Sequence, residues 1–291
     1  MKRLLFLAVF LVSGISAWAQ DSQHSFRVMW WNVENLFDVR HDSLKHDEEF
    51  LPEGERQWNW GRYWRKVEDV SRVVMAIGGD TPPALVGLCE VENDSVMIAL
   101  ARRGSLRALG YKYVMTDSPD ERGVDVALMY QPLRFQLLGH ESRRVPSKEF
   151  GLRPTRDILH AWGRVDLGDT LHVVVCHLPS RVGDARLAKK NRRLATSTLR
   201  VLVDSLLTEN PKCHFLLMGD FNAPPRDEVF RKGLKGLPLT SLIPQKRRPT
   251  NGTYRFQGNW SWIDHLLVSK ALLDRSEDRC NSILLRGFSA P

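Results

Sequence analysis

The sequence predicts an α/β domain, and three observations predict it. Short, continuously apolar runs of strand length recur along the chain, as in Leu171 to Cys176 and His214 to Gly219. Segments with apolar residues at helical spacing alternate with them, which favours helices packed on a sheet. No internal repeat, low-complexity stretch or Pro-rich linker divides the 291 residues. Composition agrees, with 43% hydrophobic and 26% charged residues, enough apolar material for a large core.

The first element is a leader. Met1-Lys2-Arg3 precedes the apolar stretch Leu4 to Val12, and Ala17-Trp18-Ala19 is the small-x-small pattern cut in exported proteins, so residues 1–19 read as a signal peptide. The apolar run is shorter than the about 20 residues that cross a bilayer. Export to periplasm or medium is the expectation, with 20–291 as one catalytic domain and no stable membrane insertion.

Phe26 to Asn32 then reads as a strand, and Asp38 to Gln57, broken by Pro and Gly, as an irregular loop. Trp60, Tyr63, Val67, Val70, Val74 and Ile77 recur at helical spacing until Gly78-Gly79 stops them. Ala84 to Glu90 reads as a buried strand, and Asn93-Asp94 caps a helix expected to reach Leu109. Further strands are expected over Val124 to Tyr130, Leu171 to Cys176, His214 to Gly219, Trp262 to Val268 and Ser282 to Leu285. A long basic helix is expected from Gly183 to Leu207.

Charge and cysteine usage narrow the chemistry. The formal charge of +8 falls to +6 once Lys2 and Arg3 leave with the leader, a balance that suits an anionic partner or simply solubility. Cys89, Cys176, Cys213 and Cys280 form no CxxC pair, which argues against zinc, and three of them lie in or beside apolar runs as unpaired core cysteines do. There is no GxxxxGK loop and no GxSxG elbow, so P-loop and serine hydrolase chemistry is excluded.

Polar residues stand at the C-terminal ends of four apolar runs: Asn32, Glu90, His177 and Asp220. Strand ends are where α/β folds place active sites. Carboxylates with amide neighbours, Asn32 and Asn222, suit a hard cation such as magnesium, which takes oxygen ligands and keeps several waters.

Six segments carry a resemblance. Trp30 to Asp38 (WWNVENLFD), Leu88 to Asn93 (LCEVEN), Arg122 to Tyr130 (RGVDVALMY), Cys176 to Arg181 (CHLPSR), Met218 to Pro225 (MGDFNAPP) and Trp262 to Ser269 (WIDHLLVS) resemble, in order, the blocks of the endonuclease/exonuclease/phosphatase superfamily of pancreatic deoxyribonuclease. The resemblance covers about Phe26 to Ser269. It implies a four-layer α/β/β/α sandwich, two mixed sheets face to face with helices outside. It also implies that Glu90, with Asn32, holds a divalent cation, magnesium first and manganese or calcium as alternatives. Asp220 and Asn222 would position the attacking water, His177 would stabilise the transition state by hydrogen bond and charge, and Arg156 would contact phosphate. For Arg156 a solvated surface role stays open.

The resemblance also departs. In the family the aspartate matched by Asp264 orients a later histidine of a Ser-Asp-His motif, and no such motif occurs in the 27 residues after Asp264. Adjacent Asp264-His265 does not replace it, because neighbours in a strand face opposite sides. A missing last strand is the expectation at the C-terminus.

The leading functional expectation is therefore an exported, metal-dependent phosphodiesterase acting as a nuclease, with nucleic acid as its partner. Two alternatives stay open: a sphingomyelinase-like or sugar-phosphate phosphatase activity, and an inactive phosphate-binding module.

Overall fold

The structure is a computed structural model that describes residues 26–165, 168–181, 183–243 and 251–273. The leader with its cleavage after Ala19, the basic run Gln245 to Arg248, Cys280, the strand expected at Ser282 to Leu285 and the chain's end lie outside the described residues.

In chain order the elements are β1 (Val28–Leu36), α1 (Trp60–Gly78), β2 (Leu85–Val91), α2 (Asp94–Arg102), β3 (Lys112–Met115), β4 (Asp125–Tyr130), β5 (Phe135–Arg143), β6 (Ile158–Val165), β7 (Thr170–His177), α3 (Ala185–Glu209), β8 (His214–Asp220), β9 (Leu239–Ser241), β10 (Tyr254–Phe256), β11 (Asn259–Ser261) and β12 (Asp264–Ser269). One sheet has the order β1-β2-β4-β3 and a larger one the order β5-β6-β7-β8-β12-β9, with β10-β11 a separate hairpin. Both large sheets are mixed: β1–β2 and β7–β8 pair in parallel, and their other neighbours are antiparallel.

Apolar alternation along these strands separates the core into three layers. Leu85, Cys89, Val126 and Leu128 of the first sheet meet Val173, Val175, Leu216 and Met218 of the second between the sheets. Val67, Val70 and Val74 of α1, with Leu100 of α2, cover the outer face of the first sheet against Val86, Leu88 and Met129. Leu199, Leu202 and Val203 of α3 cover the second sheet against Val174, Cys176, Phe215 and Leu217. The result is the α/β/β/α sandwich. Gly87 marks the close approach of the sheets, because a Cβ there would meet Met218 Sδ at 2.6 Å.

Local chemistry sets the helix ends. The Asn59 side chain accepts from Arg62 N, the Asn93 side chain from Val96 N, and the Asp184 side chain from Arg186 N and Leu187 N. The helix expected to reach Leu109 instead stops at Arg102 and resumes as a 3₁₀ turn over Ser105–Leu109. Gly104 separates the two pieces at a point where a Cβ would lie 2.7 Å from Ser71 Oγ of α1. Strands β3, β5, β6, β9, β10 and β11 are not expected from pattern, and the structure adds them.

Cys89, Cys176 and Cys213 are buried and free. Among the described residues no helix is long and apolar enough to cross a membrane.

Candidate active site

Sheet direction gathers the chemistry at one edge. The regular parallel ladder of β1 and β2 stops there at Asn32 and Cys89, next to Glu90, parallel β7 and β8 end there with His177 and Asp220, and antiparallel β12 begins there with Asp264. Asp264 pairs directly opposite Asp220, and His177 stands beside Asp220 on the other side. Five strands from two sheets thus meet at one cleft.

Two of these side chains are aimed by irregular backbone. The β1–β2 ladder shifts register between Asn32 and Leu36, and the β2–β4 ladder shifts between Cys89 and Val91. Bulges of this kind re-aim a side chain at a strand end. Within them Glu34, Asn35 and Glu90 have φ of 55°, 64° and 60°, and Asn222 after β8 has φ of 47°. Each such left-handed residue costs about 1–2 kcal/mol, a strain that clusters at functional sites.

Asn32 is the hub. Its Nδ2 donates to Glu90 Oε1 at 3.3 Å and to Asp220 Oδ2 at 3.1 Å, while its Oδ1 accepts from Glu34 N at 2.9 Å. The amide oxygen accepts one hydrogen bond from backbone, while the amide nitrogen ties the two carboxylates together. Asp220 Oδ1 accepts from Asn222 N at 2.8 Å, and Asn222 Nδ2 donates to Leu178 O at 2.9 Å.

Asp220 and Asp264 face each other across paired strands. Burial first, then their mutual charge, raises the proton affinity of Asp220; burial also raises that of Asp264. Trp30 Nε1 donates to Asp264 Oδ1 at 2.8 Å.

His177 is buried, with Nε2 lying 3.9 Å from Glu90 Oε1 and 3.8 Å from Asp220 Oδ2. Its Nδ1 is buried without a hydrogen-bond partner. Burial, followed by the charges of Arg156 and Arg122, pushes its pKa well below the ordinary histidine value. Burial at this position thus disfavours the charged imidazole.

Arg156 is buried, with Nη1 on Asp120 Oδ2 at 3.1 Å and Nη2 on Leu178 O at 2.9 Å. The alternative of a solvated surface arginine does not fit this burial. Its Nε is buried and has no partner. His265 faces the α3 side, where Nε2 donates to Ala223 O at 2.9 Å between the rings of Phe221 and Phe230. Strand alternation places it away from the cleft.

Residues with no role assigned from sequence also stand here. Arg122 reaches Glu90 Oε2 at 3.9 Å and bonds Asn35, and Arg181 Nε donates to Asn222 O at 3.0 Å. Both lie inside the quoted blocks. Their positions depend on loops whose approach to the cleft no local pattern encodes.

The donor set suits a hard cation. The Glu90 side chain is 13% exposed at the rim, and the polar groups gathered beside it, Asn32 and Asp220, present oxygen donors. Oxygen donors are what hard divalent cations prefer.

Comparison with known proteins bears on the whole chain. A model of the endonuclease/exonuclease/phosphatase family matches residues 27–286. No curated protein sequence matches. The structure of the human nocturnin catalytic domain with bound sulfate anion is similar, at 20% identity and TM-score 0.58, over 84% of this chain and 83% of that one. An endonuclease/exonuclease/phosphatase family protein from Bacteroides thetaiotaomicron is similar at 17% identity and TM-score 0.59, over 83% and 82%. The mannosyl-6-phosphatase of the same organism is similar at 15% identity and TM-score 0.55, over 84% and 85%. With sheets, strand-end residues and family match in agreement, the chain belongs to the endonuclease/exonuclease/phosphatase family.

Proposed function

We propose that the chain is a divalent-metal-dependent phosphoester hydrolase that cleaves nucleic acid outside the cytoplasm. The observation that carries this reading is the convergence of Glu90, Asp220, Asp264 and His177 at one edge of the sandwich. Three carboxylates in one cleft repel a phosphate, so the site needs a cation to reverse its sign. Bound at Glu90, such a cation would neutralise phosphate and leaving-group charge as a Lewis acid.

The remaining roles follow from the chain's own atoms. Asn32 locks Glu90 and Asp220 in one geometry. Asp220, held by Asn32 and Asn222 N, accepts a hydrogen bond from water and orients it, and its carboxylate is the acceptor for the proton that water sheds. His177 donates to a phosphoryl oxygen as negative charge develops there. Arg156 and Arg122 add positive potential behind the phosphate.

Support for nucleic acid as substrate comes from the net positive charge of the chain and from the arginines around the cleft. Export is supported by the basic-apolar-small pattern of residues 1–19. The test is cleavage of supercoiled plasmid by the purified chain with magnesium, with EDTA, and with Glu90→Ala. Nicking that needs both metal and Glu90 is expected. Release of phosphate from a sugar phosphate, with plasmid untouched, would move the substrate to phosphomonoesters; no turnover of either substrate by folded protein would leave a phosphate-binding module.

A further inference from the structure

A cavity of about 590 Å³ lies outside the catalytic cleft, between α3 and the turn Asp227 to Gly233. One helical stripe of α3 builds it. Ala185, Ala188, Thr196 and Ser197 are short and open the floor, while Lys189, Arg192, Arg193 and Arg200 on the same stripe rise beside them. The turn seats tightly on the floor, since a Cβ on Gly233 would meet Thr196 Cγ2 at 2.4 Å.

Charge in this groove is unbalanced at one point. Lys189 Nζ, Arg193 Nη2 and Lys232 Nζ all converge on the single carboxylate of Glu228, at 3.2, 2.7 and 3.4 Å. Two positive charges are left over where one anion is already held. All three cationic side chains remain more than half exposed, at 52%, 58% and 70%, so an incoming anion can reach them. The groove is also continuous with the active site: Arg181 lines it, pairs with Asp227 at 2.8 Å, and bonds Asn222 O through its other nitrogen.

We propose that this groove is a track for the phosphate backbone of a single nucleic-acid strand, leading from the catalytic cleft along the outer face of α3, with Glu228 standing where a phosphate goes. The proposal rests on the nucleic-acid reading of the site and assigns a place to the strand beyond the scissile bond. From Ala185 to Arg200 the helix rises about 22 Å, long enough for a row of several phosphates. Apart from Arg181, which stands at the cleft end, the cations that line it project from one helix face or the facing turn, so a flexible strand can follow it.

The experiment is fluorescence anisotropy of a labelled single-stranded DNA 20-mer, titrated with the full chain in EDTA over a series of KCl concentrations. The variants are Lys189→Ala/Arg193→Ala, Glu228→Gln, and Glu149→Gln as a charge control that does not line the groove. Loss of two phosphate contacts should lower the salt slope by about 1.4, at about 0.7 per contact, and weaken binding about tenfold at low salt. Glu228→Gln should tighten binding several-fold beyond any effect of Glu149→Gln, because it frees three cations from an internal anion. A structural ion cluster would instead lose stability with no gain in affinity.

An unchanged slope in the double variant, no tightening with Glu228→Gln, or no binding by the wild-type chain at low salt overturns the track. The same wild-type preparation is assayed with magnesium and plasmid. Cleavage with unchanged slopes sinks the groove and leaves the nuclease reading intact; slopes that shift as expected without cleavage sink the nuclease reading and leave the groove.

Discussion

Trp30 Nε1 donates a 2.8 Å hydrogen bond to Asp264 Oδ1, joining the first strand of one sheet to the last described strand of the other across the mouth of the cleft. Residues 234 positions apart are thereby fixed beside Asp220, the partner of Asp264 in the ladder. The indole also removes some of the cost of burying Asp264 as a charge. Trp30→Phe keeps the ring and deletes the donor. Such a loss to a charged acceptor costs about 2 kcal/mol, so a lower denaturation midpoint is expected in urea, together with a roughly tenfold fall in kcat/KM. Unchanged kinetics with the lower midpoint would confine the contact to stability.

Asn32 is expected to act through the carboxylates it holds. Its two donated bonds reach Glu90 and Asp220 from one nitrogen, an arrangement that aligns the carboxylates before any ligand arrives. Asn32→Ala should weaken metal activation or activity by about 10–100-fold, the usual range for a residue behind a metal ligand. A magnesium titration of activity reads this directly. A midpoint shifted to higher magnesium with maximal rate largely kept assigns Asn32 to positioning Glu90, whereas an unshifted midpoint with lower maximal rate assigns it to Asp220.

The parts of this arrangement that sequence showed are those set by local pattern. β1, β2, β4, β7, β8, β12 and α1 lie within a few residues of their expected places, because buried strands flanked by helices read as continuous apolar runs. β5 and β6 were hidden: Leu138 of β5 is 48% exposed, and β6 is interrupted by His160, Gly163 and Arg164, so pairing with β7 rather than pattern holds them. Strand-end polarity pointed to Asn32, Glu90, His177 and Asp220. The orientation of the Asn32 amide was not legible, since it depends on a bulge, and neither was Trp30, since its role depends on how closely two sheets approach.

Glu92 makes stability fall as pH rises. It is buried with Oε2 accepting from Asp38 N at 2.6 Å, and burial, more than the nearby charges of Asp38, Asp47 and Asp42, pushes its pKa up to about 8. A folded-state pKa above the unfolded value of about 4.3 means that the native state binds more protons between the two. The protonated form is thus tolerated in full near pH 4, and stability is lost as pH climbs toward 8, by at most about 1.4 kcal/mol per unit. Glu92→Gln mimics the neutral form and should make the loss of urea-denaturation stability from pH 6 to 8, measured in EDTA, shallower than in wild type. Asp125 and Asp220, raised to about 6 and about 7, act with the same sign in both proteins, so the difference between the two pH profiles isolates Glu92.

Asn222 tests whether strain belongs to the site. Its φ of 47° favours glycine, while its backbone N–H holds Asp220 and its side chain caps Leu178 O. Asn222→Gly and Asn222→Ala delete the same side-chain bond but differ in backbone tolerance. The alanine variant is expected to be about 1 kcal/mol less stable than the glycine variant, with activity reduced in both. Equal stabilities would show that the loop relaxes out of the left-handed conformation once the side chain is gone.

The two buried histidines near β8 should separate chemistry from packing. His177 lies between Glu90 and Asp220 with Nδ1 buried and unpartnered, whereas His265 packs between Phe221 and Phe230 and bonds Ala223 O. Removing His177 deletes a group whose burial is costly in the folded state, so His177→Ala should leave stability near or above wild type while lowering kcat by about 10²–10³-fold, the range for one lost stabilising donor. His265→Ala opens a cavity in the α3-side core and breaks a buried bond, so it should cost about 2–4 kcal/mol. At a temperature where the His265 variant remains folded, its kcat should stay within a few-fold of wild type. Denaturation and steady-state kinetics on both variants decide the matter. A folded His265→Ala that loses activity as deeply as His177→Ala would return His265 to the catalytic reading that strand alternation rejects.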